Sequence, residues 1–145
     1  MAEIKGGKKL ERALIEIARS LSTGGTLRVG FLENARYPDG TQVAAVAAFQ
    51  DFGTGTIPPR PFFRNMVAAK SPEWPKGIAT QLRLTNYNVP LTLQRTGAAI
   101  QGQLKQSIQD TNAPPLARST VRRKGFDKPL IDTGLMWRSV DYEVV

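Results

Sequence analysis

Phe49-Gln-Asp-Phe-Gly-Thr-Gly-Thr-Ile-Pro-Pro-Arg-Pro-Phe-Phe63 is the stretch on which the reading of the fold turns. Asp51-Phe52-Gly53 reads as the end of a helix, because glycine readily takes the left-handed conformation that closes a last turn. Thr54-Gly55-Thr56 is flexible. Pro58, Pro59 and Pro61 then stiffen the backbone and remove three amide donors. Arg60 lies among them, and the pair Phe62-Phe63 follows at once. So much rigidity beside so many aromatics predicts an elbow that fixes a helix start and presents a binding surface.

Outward from the elbow, the upstream segment Val43–Asp51 is rich in Ala and reads as a helix suited to close packing, with Thr41 as its cap. Pro38-Asp39-Gly40 marks a turn before it. Further back, Thr26–Leu32 alternates as a strand, with Leu27, Val29 and Phe31 on one face and Arg28 and Gly30 on the other. Lys8–Leu21 carries Leu10, Leu14, Ile17, Ala18 and Leu21 at helical spacing, which predicts an amphipathic helix packed on the body. Residues 1–9 read as a loose arm.

Downstream, Pro61 suits the first turn of a short helix running from Phe62 through Ala69. Ser71-Pro72 ends it, and Glu73–Asn86 forms a weaker second helix. Asn88-Val89-Pro90 reads as a cap and start for a long helix to about Gln109, with a stripe of Leu93, Gly97, Ile100, Leu104 and Ile108. Gly97 and Gly102 each cost about 1 kcal/mol inside a helix, so both predict the close approach of another backbone. Thr111–Pro115 is a turn, and Leu116–Lys124 reads as a short helix. Lys128–Ser139 gives a turn into a brief helix, and Val140–Val145 alternates as a strand. Strands near the two ends imply a sheet that joins them. The fold class is therefore α+β, a small antiparallel or mixed sheet packed against several helices, with residues 1–145 forming a single domain.

Composition narrows the function more than any motif. The 145 residues contain neither histidine nor cysteine, which removes Ser-His-Asp and Cys-His nucleophilic sites, disulfides and the usual zinc sites. No cofactor is called for. No apolar run approaches membrane-spanning length, and the charged start lacks the apolar core of a secretory signal, so synthesis in the cytoplasm with no membrane partner is expected. The net charge of +8 is uneven: across 52–126, eleven Lys and Arg face only Glu73 and Asp110, whereas 127–145 holds two bases and four acids. A basic middle beside an acidic tail suits polyanions, or identical subunits meeting head to tail.

Candidate chemistry is sparse. Gly53-Thr-Gly-Thr56 lacks the lysine and hydroxyl pair of a phosphate loop. Asp39, Asp51, Asp127 and Asp132 each sit where turns and caps use aspartate. The cluster Arg118, Arg122, Arg123 and Lys124 is a footprint for DNA phosphates, with Phe126 the one ring near it, so base readout is weakly supported. Phe62-Phe63 with Met66 reads either as core or as an interface anchor.

Taken in order, Val29-Gly-Phe31, Tyr37-Pro-Asp-Gly40, an Ala-rich helix, Phe49-Gln-Asp-Phe-Gly-Thr54, Pro58-Pro-Arg-Pro-Phe-Phe-Arg64 and Lys128-Pro-Leu-Ile-Asp-Thr-Gly-Leu135 form a pattern. It resembles the minor tail and tail-completion (neck) proteins of long-tailed bacteriophages, over most of the chain from about Val29 to Val145. Asp51 departs mildly, standing where that family more often has Glu. The resemblance implies a virion structural protein without catalysis, made in the host cytoplasm. It would form a ring, often a hexamer, between the tail tube or tail terminator and the head–tail connector or adaptor, with non-specific contact to DNA in the lumen. On that reading Phe52, Arg60, Phe62, Phe63, Arg64 and Trp137 meet a neighbouring subunit or partner, and Arg118, Arg122, Arg123 and Lys124 meet DNA phosphates. Arg60→Glu and Phe62→Ala are then expected to impair assembly and leave the isolated domain folded. The other reading is a small basic nucleic-acid-binding protein.

Overall fold

In the computed structural model, the described residues are 6–111, 120, 122, 123 and 134–145. Most of the turn expected at Thr111–Pro115 and of the short helix expected at Leu116–Lys124, and the turn expected from Lys128, lie outside them, as do residues 1–5, Arg118, Lys124, Asp127 and Asp132. The elements are α1 (Gly7–Ser22), β1 (Leu27–Phe31), α2 (Val43–Phe52), α3 (Phe62–Lys70), a 3-10 turn at Ser71–Glu73, α4 (Trp74–Leu84), α5 (Val89–Asp110), α6 (Leu135–Arg138) and β2 (Val140–Val144).

The two strands pair antiparallel, Leu27 opposite Val144 through to Phe31 opposite Val140. The expected sheet between distant segments is therefore present, and helices pack on it to give an α+β domain. Arg28 and Glu143 face each other across it at 3.2 Å on the exposed side, where such a pair contributes little. Leu27, Val29 and Phe31 point to the core, as their alternation requires.

α5 is the spine. Asn88 caps it, its Oδ1 accepting from the Leu91 amide at 3.0 Å, with Pro90 in the first turn where no donor is lost. Gly97, Ile100, Leu104 and Ile108 are buried at i, i+3 and i+4 spacing, and Thr92 and Thr96 extend that face with satisfied hydroxyls. Thr92 meets Thr85 at 2.8 Å, and Thr96 donates to the Thr92 carbonyl at 2.8 Å. Around α5 gather Val43 and Ala47 of α2, Phe62 and Met66 of α3, Met136 and Val140, which together form the core. Gln101 Nε2 donates to the Val140 carbonyl at 2.8 Å and ties α5 to β2.

Gly97 answers to side chains rather than to a backbone. A Cβ there would lie 2.5 Å from Tyr142 Cδ2 and 2.8 Å from Leu27 Cδ1, so the helix can rest on the sheet only without one. Gly102 has nothing within 4 Å, and the close approach expected there is not made. The two sites should respond with opposite sign. Gly102→Ala is expected to stabilise by up to about 1 kcal/mol through helix propensity. Gly97→Ala should destabilise by about 1–2 kcal/mol, because the overpacking outweighs that gain. Urea unfolding of the two variants checks this, and equal shifts would refute the close contact.

Several local expectations change. α1 begins at Gly7, so residues 7–9 belong to the helix rather than to an arm. The body covers little of it: none of its residues is buried, Ile17 and Ser20 are half-buried, and Leu10, Leu14, Ile15 and Leu21 are exposed. Amphipathic spacing shows that a face needs cover but not which surface supplies it. Its C-terminal end is held where the Ser20 hydroxyl donates to the Tyr87 carbonyl. Thr41 does not cap α2, whose N-cap is Gln42 without a side-chain bond. The Thr41 amide instead donates to Asp39 Oδ1 at 2.9 Å, closing the Pro38-Asp39-Gly40 turn and holding the Asp39 carboxyl below its usual value. Ser71-Pro72 does end α3, at Lys70, and a 3-10 turn leads from there directly into α4.

Candidate functional site

The elbow is built around Asp51, which is buried in the last turn of α2. Its Oδ1 accepts the first-turn amides of α3, Phe63 at 2.9 Å and Arg64 at 3.3 Å. A helix start leaves such donors unpaired and favours negative charge, so this carboxylate from the previous helix does the work of a cap. Arg64 closes the arrangement. Its Nε donates to Asp51 Oδ2 at 2.7 Å, and a terminal nitrogen donates to the Asp51 carbonyl at 2.7 Å. The same guanidinium lies 4.5 Å from the centroid of the Phe52 ring, a cation–π contact. The end of α2 and the start of α3 are thus one clamp.

Backbone bonds set the intervening turn. Gly53 donates to Phe49 O at 2.9 Å, Thr54 to Ile57 O at 2.8 Å and Arg60 to Gln50 O at 2.7 Å. The Thr54 hydroxyl accepts the Ile57 amide at 3.1 Å. Gly53 has φ 77° and ψ 170°, a positive-φ but extended conformation rather than the left-handed helical one expected. A Cβ there would also lie 2.9 Å from Ile57 O and from Pro59 N. Only glycine suits the position.

The six residues expected at an interface divide into two groups. Phe52, 66% exposed, stands outside the clamp, with half-exposed Arg64 across it. Phe63 is half-buried; its ring covers Gly30 of β1 and meets Phe62 edge-on with centroids 6.4 Å apart. Phe62 is 1% exposed and belongs to the core. It packs edge-on to Phe31, and Ser107 donates to its carbonyl at 2.6 Å. That corrects its reading as an anchor, since a surface residue cannot also fill the space beneath α5. Arg60 is 4% exposed, and burial lowers the pKa of its guanidinium. It braces the elbow from inside and is not a surface contact in this subunit. The expectation that Arg60→Glu and Phe62→Ala spare the isolated domain is therefore withdrawn. Trp137, on α6, is half-buried with Lys105 Nζ 4.5 Å from its ring centroid.

Of the basic cluster, Arg122 and Arg123 are exposed helical residues, while Arg118 and Lys124 fall outside the described residues. Between α3 and α5 runs an open groove of about 590 Å³, lined by small and polar residues including Asn65, Ala69, Ala99, Gly102 and Gln106. Among the described residues no three His, Cys, Asp or Glu side chains gather to hold a metal, and no helix is long and apolar enough to cross a membrane.

One further surface lies on the outside of α2. The outward side of α2 presents Ala48, Phe49 and Phe52, all exposed, and the one charge in that helix, Asp51, is turned inward. The signal was the near absence of charge in Val43–Phe52, since a helix apolar on every side is covered somewhere. What the arrangement offers is a stiff edge with an uncharged aromatic face and an Arg rim.

Comparison of the chain with known protein families, with curated proteins and with solved structures finds no match.

Proposed function

We propose that this chain is a virion structural subunit that completes a long phage tail and joins it to the head–tail connector, as part of an oligomeric ring and without a catalytic step. The supporting observation is the Asp51–Arg64 clamp, which holds Phe52 and the uncharged face of α2 outward on a backbone stiffened by three prolines. An aromatic anchor beside an Arg, presented on a rigid support, binds with little ordering cost. A ring subunit needs one face complementary to a different face of its neighbour. The excess of base in 52–126 over the acidic end of the chain supplies opposite charges for that purpose.

The sequence pattern from Val29 to Leu135 points the same way, and its partners would be further copies of the chain, the tail tube or terminator, and the connector. Exposed Arg122 and Arg123 favour a phosphate contact with DNA passing through the ring. They are also what supports the competing reading of a small DNA-binding protein.

Native mass spectrometry of the purified chain, with and without duplex DNA at two salt concentrations, separates the two. The ring reading expects a closed multiple of 15.9 kDa without DNA, or such a ring on purified tails where the free chain is monomeric. Phe52→Ser should reduce that assembly at least tenfold while leaving the fold intact, because Phe52 is mostly exposed. A monomer that ignores tail ends and shifts only with DNA, with steep loss at higher salt, would overturn the ring.

A further inference from the structure

Among the described residues the sheet has two strands, so each has an outer edge with no strand beside it. Thr26 and Val145 exchange both backbone hydrogen bonds, at 2.9 and 2.8 Å, which fixes the phase of the ladder. By that phase, the N–H and C=O groups of Leu27, Val29 and Phe31 point out of the free edge of β1, and those of Val140, Tyr142 and Val144 out of β2. The two edges differ. On β2 the Val140 carbonyl accepts from Gln101, and the Tyr142 amide donates to Asp141 Oδ1. Local side chains thus blunt that edge. On β1 no described residue bonds the outward groups, and no proline interrupts the row. α2 and the Phe63 ring lie near β1 without bonding it. Unpaired backbone groups are seldom buried, so this edge faces water. Leu27, Val29 and Phe31 accordingly stay half-buried although their side chains point to the core.

We infer that the free edge of β1 pairs antiparallel with the same edge of a second copy of this chain, centred on Val29, to make a four-stranded sheet. A row of alternating donors and acceptors is matched by an extended polypeptide backbone, and the register says which one. Val29 faces Val29, Leu27 faces Phe31 and Arg28 faces Gly30, with about six new hydrogen bonds. The apolar row turned toward α5 continues across the junction. On the outer face each Arg28 keeps its own Glu143 at 3.2 Å on one side. On its other side lies Gly30 of the second copy, with that copy's Asp141 beyond, so each base stands between two acids. The Phe63 ring over Gly30 gives the arriving guanidinium an aromatic neighbour. The other pairings are poorer. β2 against its own copy would set Asp141 opposite Glu143, like charges face to face. β1 against a second copy's β2 would need the groups that Gln101 and Asp141 already hold. The contact uses one surface twice and closes at two chains. It goes beyond the ring reading, does not depend on it, and would join subunits, or whole rings, in pairs.

The test follows amide exchange at Leu27, Val29 and Phe31 in the purified full chain by NMR, from dilute to concentrated solution, beside the mass of the species present. The expected result is a species of twice 15.9 kDa at high concentration. In it these three amides should exchange at least about tenfold more slowly than in the dilute monomer. Val29→Pro leaves the ladder within the subunit intact, because the Val29 amide points away from β2, and is expected to hold the chain as a monomer. The wild-type exchange rates decide the matter should that variant fail to fold. A dimer whose three amides exchange as fast as in the monomer would overturn the proposal, and so would a chain monomeric at every concentration. Protection of Val144 along with Val29, in a species that grows past two chains, would mean that β1 meets β2 and would overturn it too. Rings on purified tails whose β1 amides stay open would remove this contact and leave the ring reading standing. A dimer with protected β1 amides that ignores tail ends would do the reverse.

Discussion

Replacing Phe62 by Ala is expected to lower the free energy of unfolding by about 3–5 kcal/mol, the range for deleting a fully buried aromatic side chain. The residue is 1% exposed, lies edge-on to Phe31 and Phe63, and occupies the space where α3 meets α5. Its loss leaves a cavity that Leu104, Ile108 and Met66 cannot fill without moving the spine. For a domain whose whole stability is about 5–15 kcal/mol, that is a large share. Urea unfolding followed by tryptophan fluorescence measures it. Phe52→Ala in the same experiment should shift stability by less than about 1 kcal/mol, since an exposed ring loses little burial. A loss of under about 1 kcal/mol at Phe62 would mean that this ring does not lie in the core.

Asp51→Ala carries the second large effect, a loss of about 2–4 kcal/mol. Three contributions combine. The α3 start loses its cap, typically about 1 kcal/mol. The Phe63 and Arg64 amides lose charge-assisted bonds, each worth about 1.5–3 kcal/mol when the acceptor is ionised. The Arg64 pair adds less, because the guanidinium is half-exposed and water screens it. These terms overlap, so the total lies below their sum. Asp51→Asn should recover part of the loss, because its amide oxygen can still accept from Phe63 while giving up the charge. Equal losses for Ala and Asn would place the effect in the ion pair and not in the cap. Amide exchange at Phe63 and Arg64 provides the local readout, expected to speed up by an order of magnitude or more in Asp51→Ala.

Much of this architecture could be read from residue order because it rests on short-range rules. The α5 stripe follows from spacing, its start from Asn88 and Pro90, and the strands from alternation near either end. What escaped is set by geometry between elements. Phe62 and Phe63 are indistinguishable in sequence; the angular phase of α3 against α5 decides that Phe62 and Met66 face inward while Phe63 turns toward Gly30. Arg60 is charged, and charge ordinarily marks the surface, yet the proline turn carries it under the elbow. Asp51 was recognisable as an aspartate at a helix end, but the helix it caps is the next one, twelve residues on. Thr92 and Thr96 look polar to a periodicity count and are buried because each hydroxyl finds an oxygen nearby. The apolar ridge of α1 was visible in full, and its lack of cover at home was not.

The pairing of β1 with β2 has a consequence for the order of folding. Arg28 and its partner Glu143 lie 115 residues apart, so bringing the strands together means closing one long loop of chain. Contacts among α3, α4 and α5 span much shorter separations and can form first. Tyr142, whose ring lies against Gly97, then seats the spine on the sheet. During refolding the sheet is therefore expected to gain amide-exchange protection after the helices, and simultaneous protection would refute that order.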